Sequence, residues 1–365
     1  MKSIYLIKKY LRRKEKEEGN RCLRFVIAIK YSLTTESVKC KYQLRKKKMS
    51  GEDHEINTDE SEEEEEKMDD GEEVPLVIDN DETDIDLTHC RIRKIEHFDS
   101  LTSVETLCLR NNLIKKIENL HMLTTLRELE LYDNQITKIE NLDALVNLEI
   151  LDISFNRITK IENLDSLLNL RKLFLINNKI TKIENLGHLE NLEMLELGSN
   201  RIRVIENLDG LKNLTNLFLG KNKISKIQNL EALENLELLS LQSNRITKVE
   251  GLQNCVKLEH LYLSHNGIGE IEGLENNGKL QTLDMTSNKI KRVNNIEHLD
   301  DLEEFWFNDN EIDSWECLEV LKNFKKLETV YLEHNPIAED PMYRKKIKLL
   351  VPWIKQIDAT MAQGN

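Results

Sequence analysis

The sequence predicts an α/β repeat solenoid, a curved stack of short coils with a parallel sheet along its inner side. Three observations carry that expectation. Asparagines at 112, 134, 156, 178, 200, 222, 244, 266, 288 and 310 stand 22 residues apart, Asn335 follows after 25, and Cys90 precedes by 22. Around all twelve positions an aliphatic or aromatic residue lies five and three places before and an aliphatic one two places after, as in Leu129, Leu131, Asn134 and Ile136. A second apolar set follows in most repeats, such as Ile139, Leu142, Leu145 and Leu148. Self-similarity at such a period marks an array whose units bury their apolar faces only against one another.

Each constant residue has a physical reason. The frame L-x-L-x-x-N-x-I is that of a leucine-rich repeat. Its L-x-L part is a short strand whose leucines enter the core while the residues beside them face the opposite side. The Asn stands where the chain leaves the strand, and its amide can satisfy backbone groups that neither strand nor helix pairs. Such a group left buried and unpaired costs roughly 1–3 kcal/mol, so the Asn column is architecture rather than chemistry. The stretch typified by Lys138, Ile139, Glu140, Asn141 and Leu142 is shorter than a stable isolated helix, which predicts a 3₁₀ or irregular outer wall. The expected fold is a leucine-rich-repeat horseshoe with a parallel concave sheet, a 3₁₀ or irregular convex side and a C-terminal helical cap.

A terminal repeat exposes an apolar face and needs a lid. Asp340 and Pro341 have the chemistry of a helix start, and Tyr343, Ile347 and Leu350 then share one helical face. Residues 351–358 close that end. Upstream, charge divides the chain: residues 1–49 carry 16 basic and 4 acidic side chains, residues 50–86 carry 1 and 19. The expected organisation is a basic extension without a fold of its own (1–48), an acidic disordered leader (49–83), twelve repeats (84–337) and the cap (338–365).

Composition excludes several function classes. The longest apolar run near the N-terminus, residues 25–29, is far short of a membrane helix or a signal-peptide core. Six scattered cysteines with no C-x-x-C pair point to reduced thiols rather than a zinc ribbon or a disulfide framework. The repeat array, with 35 basic and 43 acidic side chains over residues 87–365, has the wrong sign for a nucleic-acid partner, and only the basic N-terminal arm could compensate. Gly220 and Lys221 lack the glycine loop of a phosphate cradle, and neither H-E-x-x-H nor G-x-S-x-G occurs. One carboxylate per strand is too sparse for a metal cage. The expectation is a protein that is not an enzyme and carries no cofactor or metal.

The positions that the scaffold leaves free are the functional candidates. The residue between the two strand leucines reads Asp86, Cys108, Glu130, Asp152, Phe174, Glu196, then Phe218, Ser240, Tyr262, Asp284, Trp306 and Tyr331. Five of these twelve are aromatic although only 5% of the chain is, and five are acidic. Aromatics flanked by polar groups are typical of interface hot spots. Twelve strands at about 4.8 Å trace an arc on the order of 50 Å, which suits a folded protein better than a small molecule. The competing expectation is that these neighbours only support one another across strands; large aromatics turned toward solvent would favour binding.

The K-I-E-N-L type repeat of 22 residues, Leu173-Phe174-Leu175, Glu304-Phe305-Trp306, residues 254–263 and the terminal Tyr331-Leu332-Glu333-His334-Asn335-Pro336 resemble the regulatory subunit 7 family of protein phosphatase 1 over roughly residues 50–365. That resemblance implies a nuclear and cytoplasmic regulatory subunit. It would hold the phosphatase catalytic subunit on its concave face and modulate serine/threonine dephosphorylation. It also implies partner-binding roles for Asp152, Phe174, Glu196, Phe218, Asp284, Glu304, Trp306 and Tyr331. Aromatics would act as desolvated anchors, and carboxylates would meet Lys or Arg of the partner. The short basic-aliphatic-x-Phe docking peptide used by many partners of this phosphatase is absent; Lys94-Ile95-Glu96-His97 ends in His. The protein is expected to be a monomer before binding, with neither nucleic acid nor membrane as partner. The alternative is a leucine-rich-repeat scaffold for another intracellular protein.

Overall fold

A computed structural model describes residues 81–362. The expectations for the basic extension and most of the acidic leader fall outside that span. Twelve three-residue strands follow one another: β1 (Asp84–Asp86), β2 (Thr106–Cys108), β3 (Glu128–Glu130), β4 (Ile150–Asp152), β5 (Lys172–Phe174), β6 (Met194–Glu196), β7 (Asn216–Phe218), β8 (Leu238–Ser240), β9 (His260–Tyr262), β10 (Thr282–Asp284), β11 (Glu304–Trp306) and β12 (Thr329–Tyr331). They form one sheet in sequence order, parallel throughout, with each strand in register with the next, as in Leu129 opposite Leu151. This is the parallel solenoid that the 22-residue period predicts.

The core is the apolar frame itself. In one repeat Leu129, Leu131, Ile136, Ile139, Leu142, Leu145 and Leu148 are all fully buried. Truncating any one to Ala would cost about 2–5 kcal/mol, since neighbouring coils cannot collapse onto the gap. The ladder asparagines do what their position demands. Asn134 Nδ2 donates to the carbonyls of Leu109, Leu131 and Tyr132 at 2.9, 3.1 and 3.3 Å, and its Oδ1 accepts from Ile114 N–H at 3.0 Å. The residue before each takes a left-handed conformation, for example φ 53° at Asp133 and 55° at Asn177.

A second asparagine ladder runs through the outer wall, which the sequence suggested only as an irregular stretch. Asn141 sits at φ 58° and donates to the Ile117 carbonyl at 2.7 Å. Where the amide is missing the chain carries Gly251 at φ 72°, in close approach to the Ile227 carbonyl, the other residue that tolerates this backbone.

The convex side is irregular in most repeats. It tightens into 3₁₀ turns at Glu316–Asn323, in the repeat with the longer 25-residue step, and at Pro336–Glu339. The cap helix α1 spans Tyr343–Leu350, burying Tyr343 and Ile347 against the last repeat. It begins later than Asp340 suggests: Asp340 Oδ1 takes Met342 N–H at 2.8 Å and its carbonyl takes Tyr343 N–H at 2.8 Å, so Asp340 shapes the turn ahead of the helix. The lid then adds β13 (Gln356–Ile357), parallel to β12, and β14 (Thr360–Met361), antiparallel to β13. Reversal at the final rung blunts the sheet edge. Cys108, Cys255 and Cys317 carry free thiols, as expected.

Candidate partner-binding surface

Because strand side chains alternate, the third residue of each strand leaves the core on the far face of the sheet. Parallel register then aligns these residues without a gap. Glu130 stands opposite Asp152, Asp152 opposite Phe174, Phe174 opposite Glu196 and Glu196 opposite Phe218. Further along, Tyr262 faces Asp284, Asp284 faces Trp306, and Trp306 faces Tyr331. Asp152, Phe174, Glu196, Phe218, Asp284, Trp306 and Tyr331 therefore share one continuous row, with Glu304 beside it two residues before Trp306.

Exposure within that row is lower than expected. Trp306, Phe218 and Tyr331 are only 4, 5 and 6% exposed, and Asp152 and Asp284 are buried too; Phe174, Glu196 and Glu304 keep intermediate exposure. The cause is lateral packing. Met194, Phe218, Leu238, Tyr262, Trp306 and Tyr331 form a second apolar cluster, separate from the core, with Phe174 packed against it. Trp306 tilts across Tyr331 with ring centroids 5.1 Å apart, and its Nε1 donates to Glu304 Oε2 at 3.1 Å. Gln356 of β13 donates to the Tyr331 hydroxyl, tying the lid to the row. The aromatics lie down as a floor instead of projecting singly.

The N-terminal end of the row is ionic. Arg110 Nε lies 2.5 Å from Glu130 Oε2 and its Nη2 3.5 Å from Asp152 Oδ2, while the Cys108 thiol donates to Glu130 at 3.1 Å. Burial pushes the Glu130 carboxyl up to about 7, against the pull of the Arg110 cation. Burial likewise raises Asp152, opposed by hydrogen bonds from Ser154 and by the Arg110 charge. Asp152 thus already has an internal cation, where the sequence suggested one from a partner. Burial also raises Glu196, whose Oε1 accepts Gly198 N–H at 2.8 Å. Glu196 keeps more solvent contact than Asp152, so its carboxylate is the better placed to meet an outside charge. Desolvation raises the Cys108 thiol far above its ordinary range, which keeps it protonated and a poor nucleophile.

Two groups of residues escaped the sequence reading. Met194 and Leu238 stand two places before the row residue and complete the floor; apolar residues in a column that elsewhere carries Lys172, Asn216 and Glu304 were the available signal. The other is Arg110, a cation two residues beyond Cys108 that reaches acids one and two rungs away.

Comparison with known proteins agrees with this architecture. A family model described as Leucine Rich repeats (2 copies) matches residues 124–166, 146–190, 168–211, 190–232 and 234–276. The chain is 61% identical over 50 residues to protein phosphatase 1 regulatory subunit 7 of Homo sapiens, a match covering 14% of each chain. It is 61% identical over 46 residues to the same subunit of Danio rerio, covering 13% of each, and 46% identical over 48 residues to protein phosphatase 1 regulatory subunit SDS22 of Schizosaccharomyces pombe, covering 13% and 14%. Each of these matches spans about a seventh of the relative's length. Among solved structures, an internalin from Listeria monocytogenes superposes with a TM-score of 0.63 at 25% identity, covering 76% of this chain and 87% of the other. A leucine-rich-repeat protein of Leptospira interrogans gives 0.62 at 23%, covering 71% and 73%, and shows the fold alone. The chain has the leucine-rich-repeat fold, and over about a seventh of its length its sequence is similar to protein phosphatase 1 regulatory subunit 7 and SDS22.

Proposed function

We propose that this chain is a regulatory subunit that seats the catalytic subunit of protein phosphatase 1 on the concave face and modulates serine/threonine dephosphorylation. The observation that carries the reading is the in-register row from β4 to β12, aromatic or acidic at every rung but Ser240 of β8 and occupied by residues that the core does not require. The names of the relatives supply the identity of the partner. Phe174, Glu196 and Glu304 keep solvent access and are the first points of contact. Phe218, Trp306 and Tyr331 form the apolar floor onto which a projecting element of the phosphatase settles, with Asp284 and the Arg110-paired Asp152 in the same row. Catalysis stays with the phosphatase. Residence in nucleus and cytoplasm belongs to the same proposal.

The test uses residues whose loss leaves the floor intact. Phe174→Ala with Glu304→Gln removes an exposed anchor and a charge while keeping the acceptor that holds Trp306. Binding of purified catalytic subunit, measured by calorimetry beside a melting curve of each variant, should weaken roughly 30-fold or more if these are hot-spot positions. An unchanged affinity in a folded double variant would sink the proposal. Pull-downs that recover another intracellular protein and no phosphatase would favour the scaffold alternative.

A further inference from the structure

Away from the aromatic row, one column of the solenoid carries a charge pattern opposite to the chain's net charge. The residue after the ladder Asn is Arg157, Lys179, Arg201, Lys223 and Arg245 in five consecutive repeats. Each donates its backbone N–H to the repeat before, Arg157 to Ile136 and Lys179 to Ile158 at 2.8 Å, which locks one cation onto each rung. At about 4.8 Å per rung the five span roughly 20 Å. All are exposed except Lys223, which is half-buried. None makes an ion pair or a side-chain hydrogen bond among the described residues.

The surroundings reinforce the pattern. No Asp or Glu occurs in residues 153–161, 175–183, 197–205, 219–227 or 241–249. Three residues further on, Lys160, Lys182, Lys226 and Lys248 form a parallel column, and carboxylates begin only beyond it, with Lys160 3.8 Å from Glu162 and Lys248 3.2 Å from Glu272. The fold does not require these cations, because the same position holds Leu113, Gln135, Gly267 and Glu311 in other repeats. A row of unpaired cations at one spacing raises the local positive potential and favours a polyanion laid along it.

Charge and reach identify the occupant. Residues 50–80 contain 15 acidic side chains and one basic, including five consecutive glutamates at 62–66. The described chain starts at residue 81, just before β1, and β4 to β8 lie about 15–35 Å along the stack from there. The glutamates stand 15 to 19 residues upstream of Asp81, a contour of roughly 50–60 Å when extended. Tethering adds a local concentration on the order of millimolar. A nucleic acid would have to compete with this tethered polyanion and approach a chain of net charge −14. We infer that the cationic column from Arg157 to Arg245 is the docking surface for the chain's own acidic segment, residues 50–80.

The test is zero-length carbodiimide cross-linking of the dilute full-length chain, read by mass spectrometry. Cross-links from residues 62–66 should concentrate on Lys179 and Lys223 at low salt and fall about tenfold at half-molar salt, roughly as expected for exposed charge pairs. The variant Arg157→Gln, Arg201→Gln, Arg245→Gln keeps both reporter lysines and should lower their yield to a similar degree. Yield spread evenly over exposed Lys138, Lys212 and Lys345, or unaffected by the triple variant, overturns the proposal. As a second arm, a synthetic peptide of residues 50–80 should bind the full chain at least tenfold more tightly once glutamates 62–66 are replaced by Gln. Equal binding to both chains overturns it, as does a single-stranded DNA oligonucleotide that outcompetes the peptide on the unaltered chain.

Discussion

Trp306 separates packing from recognition. Its side chain is 4% exposed, leans on Tyr331 and donates to Glu304. A tryptophan buries about 150–250 Å², which at about 25 cal/mol/Å² gives roughly 4–6 kcal/mol. Alanine retains part of that, and the unfolded chain already buries some of its surface, so Trp306→Ala is expected to destabilise by about 3 kcal/mol. No sealed cavity adds to this, because the ring lies on a face open to water. Trp306→Phe keeps a ring against Tyr331 and loses only the bond to Glu304, a change of about 1 kcal/mol. In a repeat array the loss is felt by the nearest rungs. Native-state hydrogen exchange at the strand amides of β11 and β12 is therefore the assay, with an expected acceleration of about two orders of magnitude for Ala and several-fold for Phe. Less than threefold acceleration in Trp306→Ala would mean that the ring is not part of a packed floor, and the reasoning about the row would fall with it.

Three other outcomes follow from the same geometry. Asn200→Ala strips Ile180 N–H and the carbonyls of Leu175, Leu197 and Gly198 of their partner and should cost about 3 kcal/mol in urea unfolding; a loss under 1 kcal/mol would contradict the ladder's role. Because burial raises Glu130 from its ordinary 4.5 to about 7, its contribution to stability is full below pH 4.5 and is lost as pH rises to about 7. Arg110→Ala removes the cation that favours the ionised forms of Glu130 and Asp152, so its cost should be about 3 kcal/mol at pH 8 and shrink toward pH 5; an equal or larger cost at pH 5 reverses the sign and refutes the assignment. Asp358 Oδ1 accepts the N–H groups of Leu332 and Glu333 at 3.0 Å and the Tyr343 hydroxyl at 3.1 Å, so Asp358→Ala should open the lid to limited proteolysis around β13 while the central repeats stay protected.

The fold was legible because one period controls every level of it. The spacing that locates Asn134 and Asn156 also places Leu129 and Leu151 side by side in register, so strand order, core and the carbonyl-binding ladder follow together. The candidate row was legible for the same reason, as the column between the leucines. Its exposure was not. Periodicity tells which face a side chain leaves by and says nothing about how far it leans once there, and Trp306 leans onto Tyr331 while Phe218 packs into the same apolar cluster. Nor does a column show pairings that run diagonally between columns, which is how Arg110 reaches Glu130 and Asp152. The start of α1 was misplaced by propensity: Asp340 and Pro341 have the chemistry of a helix start, but Lys346 and Trp315 both hold the Asp340 carboxylate, fixing it in the turn before the helix.

Mutual support across strands and partner recognition are compatible explanations of the row, because the packing serves both. An isolated exposed aromatic loses rotamer freedom when a partner orders it, roughly 0.5–1.5 kcal/mol for a flexible side chain. Trp306 and Tyr331 are already ordered by each other and by Glu304 and Gln356, so that loss is borne on folding rather than on binding. On the proposed function, a preorganised floor of this kind would also restrict the partner, which would bring a complementary apolar ridge flanked by cations for Glu196 and Glu304. On that proposal, substitutions within the floor are expected to act on stability first and on binding through it, whereas substitutions at Phe174, Glu196 and Glu304 are expected to act on binding. Scanning both sets in one binding and unfolding experiment therefore distinguishes a recognition surface from a purely structural one, since only a recognition surface gives variants that lose the partner at unchanged stability.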